Sequence, residues 1–243
     1  MMFVSHLPFN PLDPPLPSKL RYDNETKLGH WKQTRYTNCR RQGSGGQPRD
    51  VRGRAMKVIG VIGKNGSGKD EVLKYLRDKH NVPFLSTGDI VREIAGREGR
   101  TPNRTNLQEI SDSYFQQYGR GCFVKMLADR IQEKGWPVAG IGGVRSPQDV
   151  RELRGIFGQS FVLIEVHVIS PQVRFERMRK RGAERDTDSY RDFLAQDVGE
   201  EQLFHVEEAA SLADYSLSND GGLEDLHRGV EDLIAQGGLL KPD

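Results

Sequence analysis

Seven residues constrain this chain more than any others: Gly63-Lys64-Asn65-Gly66-Ser67-Gly68-Lys69, set directly after the apolar run Val58-Ile59-Gly60-Val61-Ile62. The run is short and unbroken, as in a strand buried on both faces of a parallel sheet. Residues 69–80 then carry Val72, Leu73 and Leu76 at helical spacing. A glycine-rich turn between a buried strand and a helix can curl so that its N–H groups converge on an anion, and the helix N-terminus adds its positive end. The spacing of Gly63, Gly68 and Lys69 is that of a phosphate-binding loop. Gly63, Asn65, Gly66, Ser67, Gly68 and Lys69 are therefore expected to cradle the phosphates of ATP or a close relative. A plain strand-to-helix turn is the alternative, and it leaves Lys69 unexplained. One position departs from the pattern. Where a Ser or Thr hydroxyl normally meets Mg²⁺, this chain has Asp70. A carboxylate is a good Mg²⁺ ligand, so Asp70 is a candidate metal ligand. It is also suited to be a first-turn acid that favours the helix dipole.

From Met56 onward, short apolar runs alternate with amphipathic stretches. Strands are expected at Val58–Ile62, Val82–Leu85, Pro137–Ile141, Phe161–Ile169 and Tyr215–Leu217. Helices are expected over 69–80, 87–99, 105–117, 120–134, 188–198, 200–213 and 222–236, with two more opened by Ser146-Pro147 and Ser170-Pro171. Serine at the cap followed by proline in the first turn is a helix start. Strand–helix alternation of this kind implies an α/β fold: three layers, α/β/α, around a mostly parallel five-stranded sheet. Ligands of such folds bind beyond the carboxyl ends of the strands.

Residues 1–55 differ in kind. They hold six of the twelve prolines, a Gly-Ser-Gly-Gly run at 43–46, and ten Lys and Arg against four Asp and Glu. No apolar period runs through them, so this segment is expected to be a disordered basic extension, and 56–243 the folded domain. Three readings stay open for it: a basic arm for an anionic partner, an extension with no fold, or a start codon properly placed at Met56. Without the extension the charge balance is −4 rather than +2, so nucleic acid is not expected as a partner beyond the tail. No window comes near 18 consecutive apolar residues, and the N-terminus has no secretory pattern, so a cytoplasmic protein with no membrane partner is expected. Cys39 and Cys122 are far apart and lack metal-ligand spacing, so both are expected to be free thiols.

Further motifs fall at the other strand ends. Ser86-Thr87-Gly88-Asp89-Ile90-Val91-Arg92 follows the second strand. This resembles the nucleoside monophosphate kinases, adenylate kinase above all. The resemblance implies that Arg92 grips the acceptor's phosphate, that Asp89 orients Mg²⁺ waters or the attacking oxygen, and that Thr87 touches the acceptor. After the third strand, Gly142-Gly143-Val144-Arg145 matches the acceptor-binding arginine of these kinases at Arg145, but Gly142 replaces their strand-ending aspartate. The metal carboxylate is expected to have moved to Asp70, with Asp89 as the second candidate. Arg174, Arg177 and Arg181 share one helix face, with Arg185 beyond, and the resemblance makes Arg177, Arg181 and then Arg185 lid arginines for the transferring phosphoryl group. A solvated basic face is the plainer reading. Finally, Ala213-Asp214-Tyr215 running into Asn219-Asp220-Gly221 is similar to the end of dephospho-CoA kinase, where the turn packs on adenine. Asn219 and Gly221 match it. The resemblance covers about residues 56–236 and is greatest to a prokaryotic nucleotide-kinase-like family between adenylate kinases and dephospho-CoA kinases.

The implied protein is an ATP- and Mg²⁺-dependent kinase with a nucleotide acceptor. Lys69, Asp89, Arg92, Arg145, Arg177 and Arg181 are its catalytic set. A CoA precursor is the alternative acceptor. A non-catalytic ATP-binding regulator is the third reading, kept open by Gly142.

Overall fold

The computed structural model describes residues 53–54, 56–182 and 187–240. The basic extension up to residue 52, Cys39 and Arg185 lie outside the described residues. Five strands form one sheet in the order β2-β3-β1-β4-β5. They are β1 Lys57–Ile62, β2 Phe84–Ser86, β3 Val138–Gly142, β4 Phe161–His167 and β5 Tyr215–Ser218. Every pairing is parallel, as the alternation of elements predicts.

β1 lies at the centre and all six of its residues are buried. Its side chains alternate between two helical layers. Ile59 and Val61 join Ile164 and Val166 of β4 in one core, closed by Val72, Leu73 and Leu76 of α1 (Lys69–His80) and by Leu226 and Val230 of α9 (Leu223–Gly237). Gly60 faces the other way, where a Cβ would run into the side chains of Phe161 and Leu163. Toward that side, α5 (Pro147–Phe157) packs on β4 and on α4 (Cys122–Lys134). Buried Leu127, Ile131, Leu153 and Phe157 come from these two helices. Cys122 is buried, and burial pushes its thiol up to about 12, so it is an inert core residue.

Several boundaries shift by one or two residues, as at β4, which ends at His167 rather than Ile169, and two departures have a clear physical reason. Val82 is not in β2. Asn81 ends α1 in the left-handed conformation, its N–H bonding Arg77 O while the Val82 N–H bonds Leu76 O. This helix-ending motif uses Val82 as the cap, so β2 begins two residues later. The expected break between helices at residue 199 is also absent. α7 runs through Gly199 from Tyr190 to Phe204, and the break falls at His205, whose φ is 54°, before the short α8 (Val206–Ala210). A mid-helix glycine costs only about 1 kcal/mol, and the contacts that pin α7 on both sides of it outweigh that. The remaining helices are α2 Thr87–Arg97, α3 Arg104–Tyr118 and α6 Pro171–Arg181. Among the described residues, no helix is long and apolar enough to cross a membrane.

Candidate phosphate-transfer site

The loop Gly63–Lys69 joins the carboxyl end of β1 to α1. Gly68 caps α1 in the left-handed region, at φ 99°, with no side-chain cap. Within the first turn the Glu71 and Val72 N–H groups bond Gly68 O, while those of Lys69 and Asp70 have no acceptor among the described residues, which is the arrangement an anion completes. Gly66, at φ 79°, passes so near α6 that a Cβ would lie 2.5 Å from Arg174 O. Only glycine meets both demands there. The Lys69 ammonium lies 3.4 Å from Lys64 O. Burial lowers its pKa, against the charge of Asp70, which raises it, and alongside Arg145, which lowers it; Glu200 and Arg181 also act on it, in opposite senses. The charges of its neighbour Asp70 and of Arg145, Glu200 and Arg181, from three other segments, thus act on Lys69.

Two side chains clamp the loop from behind. Arg174, only 3% exposed, donates to Asn65 O at 3.0 Å and grips Asp197 of α7 with both terminal nitrogens, at 2.8 and 2.6 Å. Its guanidinium also stacks over Phe193. Asn219, buried beyond β5, donates from Nδ2 to Ser67 O at 2.8 Å, and its own backbone N–H donates to His167 O. Asn219 thus faces the loop backbone. Gly221 accepts from Arg177 Nη2 at 2.9 Å. The arginines of one helix stripe separate: Arg174 goes into the protein and Arg177 to the Gly221 turn, while the charge of Arg181 acts on Lys69.

On the neighbouring strand ends, Ser86 caps α2 by accepting from Asp89 N, and its hydroxyl donates to an Asp89 carboxylate oxygen at 2.8 Å. Arg92 donates to the other oxygen at 2.5 Å. Burial pushes the Asp89 carboxyl up, but the hydrogen bonds from Arg92 and Ser86 outweigh it and hold the pKa below its ordinary value. Asp89 and Arg92 are both exposed. Thr87 Oγ1 donates to Gly143 O at 3.1 Å, tying α2 to the β3 end. Gly142 has a steric reason for lacking a side chain. A Cβ there would sit 3.0 Å from Leu73 Cδ1 and 3.2 Å from Ser86 Cβ. β2 and β3 are drawn together over the place where the related kinases keep an aspartate.

Arg145 follows β3. Its guanidinium lies over the Phe204 ring, and Nη1 donates to Glu200 Oε1 at 2.9 Å. The other Glu200 oxygen accepts from Asn65 Nδ2 at 2.7 Å. Sequence reasoning missed Glu200. Its partners are 55 and 135 residues away, and on α7 it is one acid among several with no local signal.

Asp70 is exposed on the first turn of α1. Among the described residues, no three His, Cys, Asp or Glu side chains gather as a metal cage. The carboxylate of Asp70 is of the kind Mg²⁺ takes one or two of when substrate phosphates and water complete its shell. The donor set fits a metal that arrives with the nucleotide.

A strand–loop–helix phosphate cradle on an all-parallel α/β/α sheet defines a P-loop protein of kinase-like fold. Residues 62–193 match the family described as "AAA domain". The chain belongs to the UPF0200 protein family. A member from Thermococcus onnurineus is 33% identical over 180 residues, covering 73% of this chain and 96% of the relative. Another, from Thermococcus sibiricus, is 35% identical over 188 residues, covering 76% and 97%. Among solved structures, TT1252 from Thermus thermophilus superposes with TM-score 0.53 at 21% identity, over 75% of this chain and 98% of that one. A sugar kinase from Janibacter sp. HTCC2649 does so with TM-score 0.50 at 14% identity, over 76% and 95%. At these identities the likeness concerns the fold.

Proposed function

We propose that the protein is an ATP- and Mg²⁺-dependent phosphotransferase of the cytoplasm, acting on a nucleotide-type acceptor, with a nucleoside monophosphate as the first candidate. The observation that carries this reading is that Asn65 of the loop and Arg145 of the β3 end meet on one Glu200 carboxylate, beside Lys69, on which the charges of Arg145 and Arg181 also act. Phosphoryl transfer asks a protein mainly for positioning and for positive charge around the γ-phosphoryl oxygens. Lys69 and the loop N–H groups hold the outer phosphates, and Arg181 faces the transferring group. Arg92 and Arg145 receive the acceptor's phosphate, and Asp89 orients the attacking oxygen. That oxygen forms a bond to the γ-phosphorus as the bond to the β-phosphate oxygen breaks, and ADP leaves. Mg²⁺, held through Asp70 and the phosphates, would supply further charge neutralisation. Two orphaned polar atoms support a polar ligand: Ser67 Oγ and Arg177 Nη1 are buried with no partner among the described residues. Ile169 and Leu223, 81% and 53% exposed, flank the Asn219–Gly221 turn and offer apolar surface for a base. The closure at Gly142 favours a second reading, a non-catalytic ATP-binding regulator. A coupled ADP-release assay with MgATP, a panel of nucleoside monophosphates and dephospho-CoA tests both. Stimulation by one acceptor is expected. No stimulation by any acceptor sinks the kinase reading.

A further inference from the structure

Glu200 is a charged group of the site that phosphotransfer leaves without a task. It is held at 17% side-chain exposure, against 42% for its partner Arg145. Its two oxygens take one donor each, from Asn65 of the phosphate loop and from Arg145 of the β3–α5 loop. Its charge also acts on Lys69. These three groups, under the reading above, belong to the phosphates of nucleotide and acceptor. One carboxylate therefore satisfies donors that two phosphates would share, with acceptor oxygens of the kind phosphate presents. The helix carrying it is pinned one turn earlier by Asp197 on Arg174. Glu200 can thus swing away while α7 stays docked.

We propose that Glu200 is a built-in competitor for phosphate, holding Asn65 and Arg145 in place until a phosphate-bearing ligand displaces its carboxylate. The proposal rests on the phosphate-binding reading of the loop. A latch closed in about nine molecules of ten lowers apparent ligand affinity about tenfold. A merely structural strut predicts the opposite sign, because its loss would loosen the loop.

The test is calorimetric titration of the full chain with MgATP and with Mg-pyrophosphate, in wild type, Glu200→Gln and Glu200→Asp, with a ligand-free thermal melt of each. Glu200→Gln removes the charge and keeps the shape. Glu200→Asp keeps the charge and falls one methylene short of spanning both donors. Both variants are expected to bind both ligands more tightly, Glu200→Gln by about tenfold, and to melt no higher than wild type without ligand. Unchanged or weaker binding in both variants, with wild type binding normally, overturns the latch alone. If no variant and no wild-type protein binds either ligand, the phosphate-loop reading falls and the latch with it.

Discussion

The phosphate loop and the proposed acceptor edge face the same kind of ligand charge, yet they are held in different ways. The loop is fixed from behind. Arg174 and Asn219 are both buried and both bond its backbone carbonyls, at Asn65 and Ser67. At the acceptor edge the functional side chains bond one another instead: Arg92 with Asp89, and Arg145 with Glu200. The first region is preorganised, which reduces the reorganisation a reaction must supply. The second holds its charges in provisional pairs that a ligand must exchange. The exposed Arg92–Asp89 pair contributes little to stability, so it can be broken at small cost.

Substitutions can break this contrast. The largest effect is expected at Arg174. Arg174→Ala leaves Asp197 without its partner and Asn65 O without its donor, and should cost about 3–5 kcal/mol. Urea denaturation measures it; a loss below about 1 kcal/mol would show that the loop does not depend on this clamp. Next is Lys69→Ala, which removes the charge at the point of convergence. A fall in turnover of about 10²–10³-fold is expected in the ADP-release assay, with the midpoint of unfolding nearly unchanged. Gly142→Asp then asks whether the β3 end has room for the missing carboxylate. Crowding against Leu73 and Ser86 should cost about 1–3 kcal/mol, and a crystal structure of a fully stable variant with the acid seated would contradict this. The smallest stability effect belongs to Arg92→Ala, at most about 1 kcal/mol. Its signature should be kinetic, a rise in acceptor KM with nucleotide affinity kept. Equal losses for both ligands would erase the distinction between the two regions.

The elements most legible in the sequence are those made by neighbours in the chain. The Ser146 and Ser170 caps form helix starts where serine precedes proline, because a cap bonds an N–H three residues on. The loop's glycines adopt backbone angles that other residues rarely take, so their spacing alone announces the turn. The five parallel strands follow from apolar runs separated by helices. Val82 and Gly199 depart from expectation for a shared reason: local propensity there yields to a cap in one case and to distant contacts in the other.

Helical spacing placed Arg174, Arg177 and Arg181 on one stripe, and the stripe is real. It could not say which arginine would meet the core. That was decided by α7 laying Asp197 against α6, a contact 23 residues away in the chain. The same holds for Glu200 and for Asn219, whose partner Ser67 is 152 residues distant. Sequence alone determined where the glycine-rich loop lies between β1 and α1, since backbone geometry there is a property of a few adjacent residues. Only the tertiary structure decided which charges face that loop and which are spent holding it. Coulombic pairing depends on separation in space, and a linear pattern carries that only within a turn or two of helix.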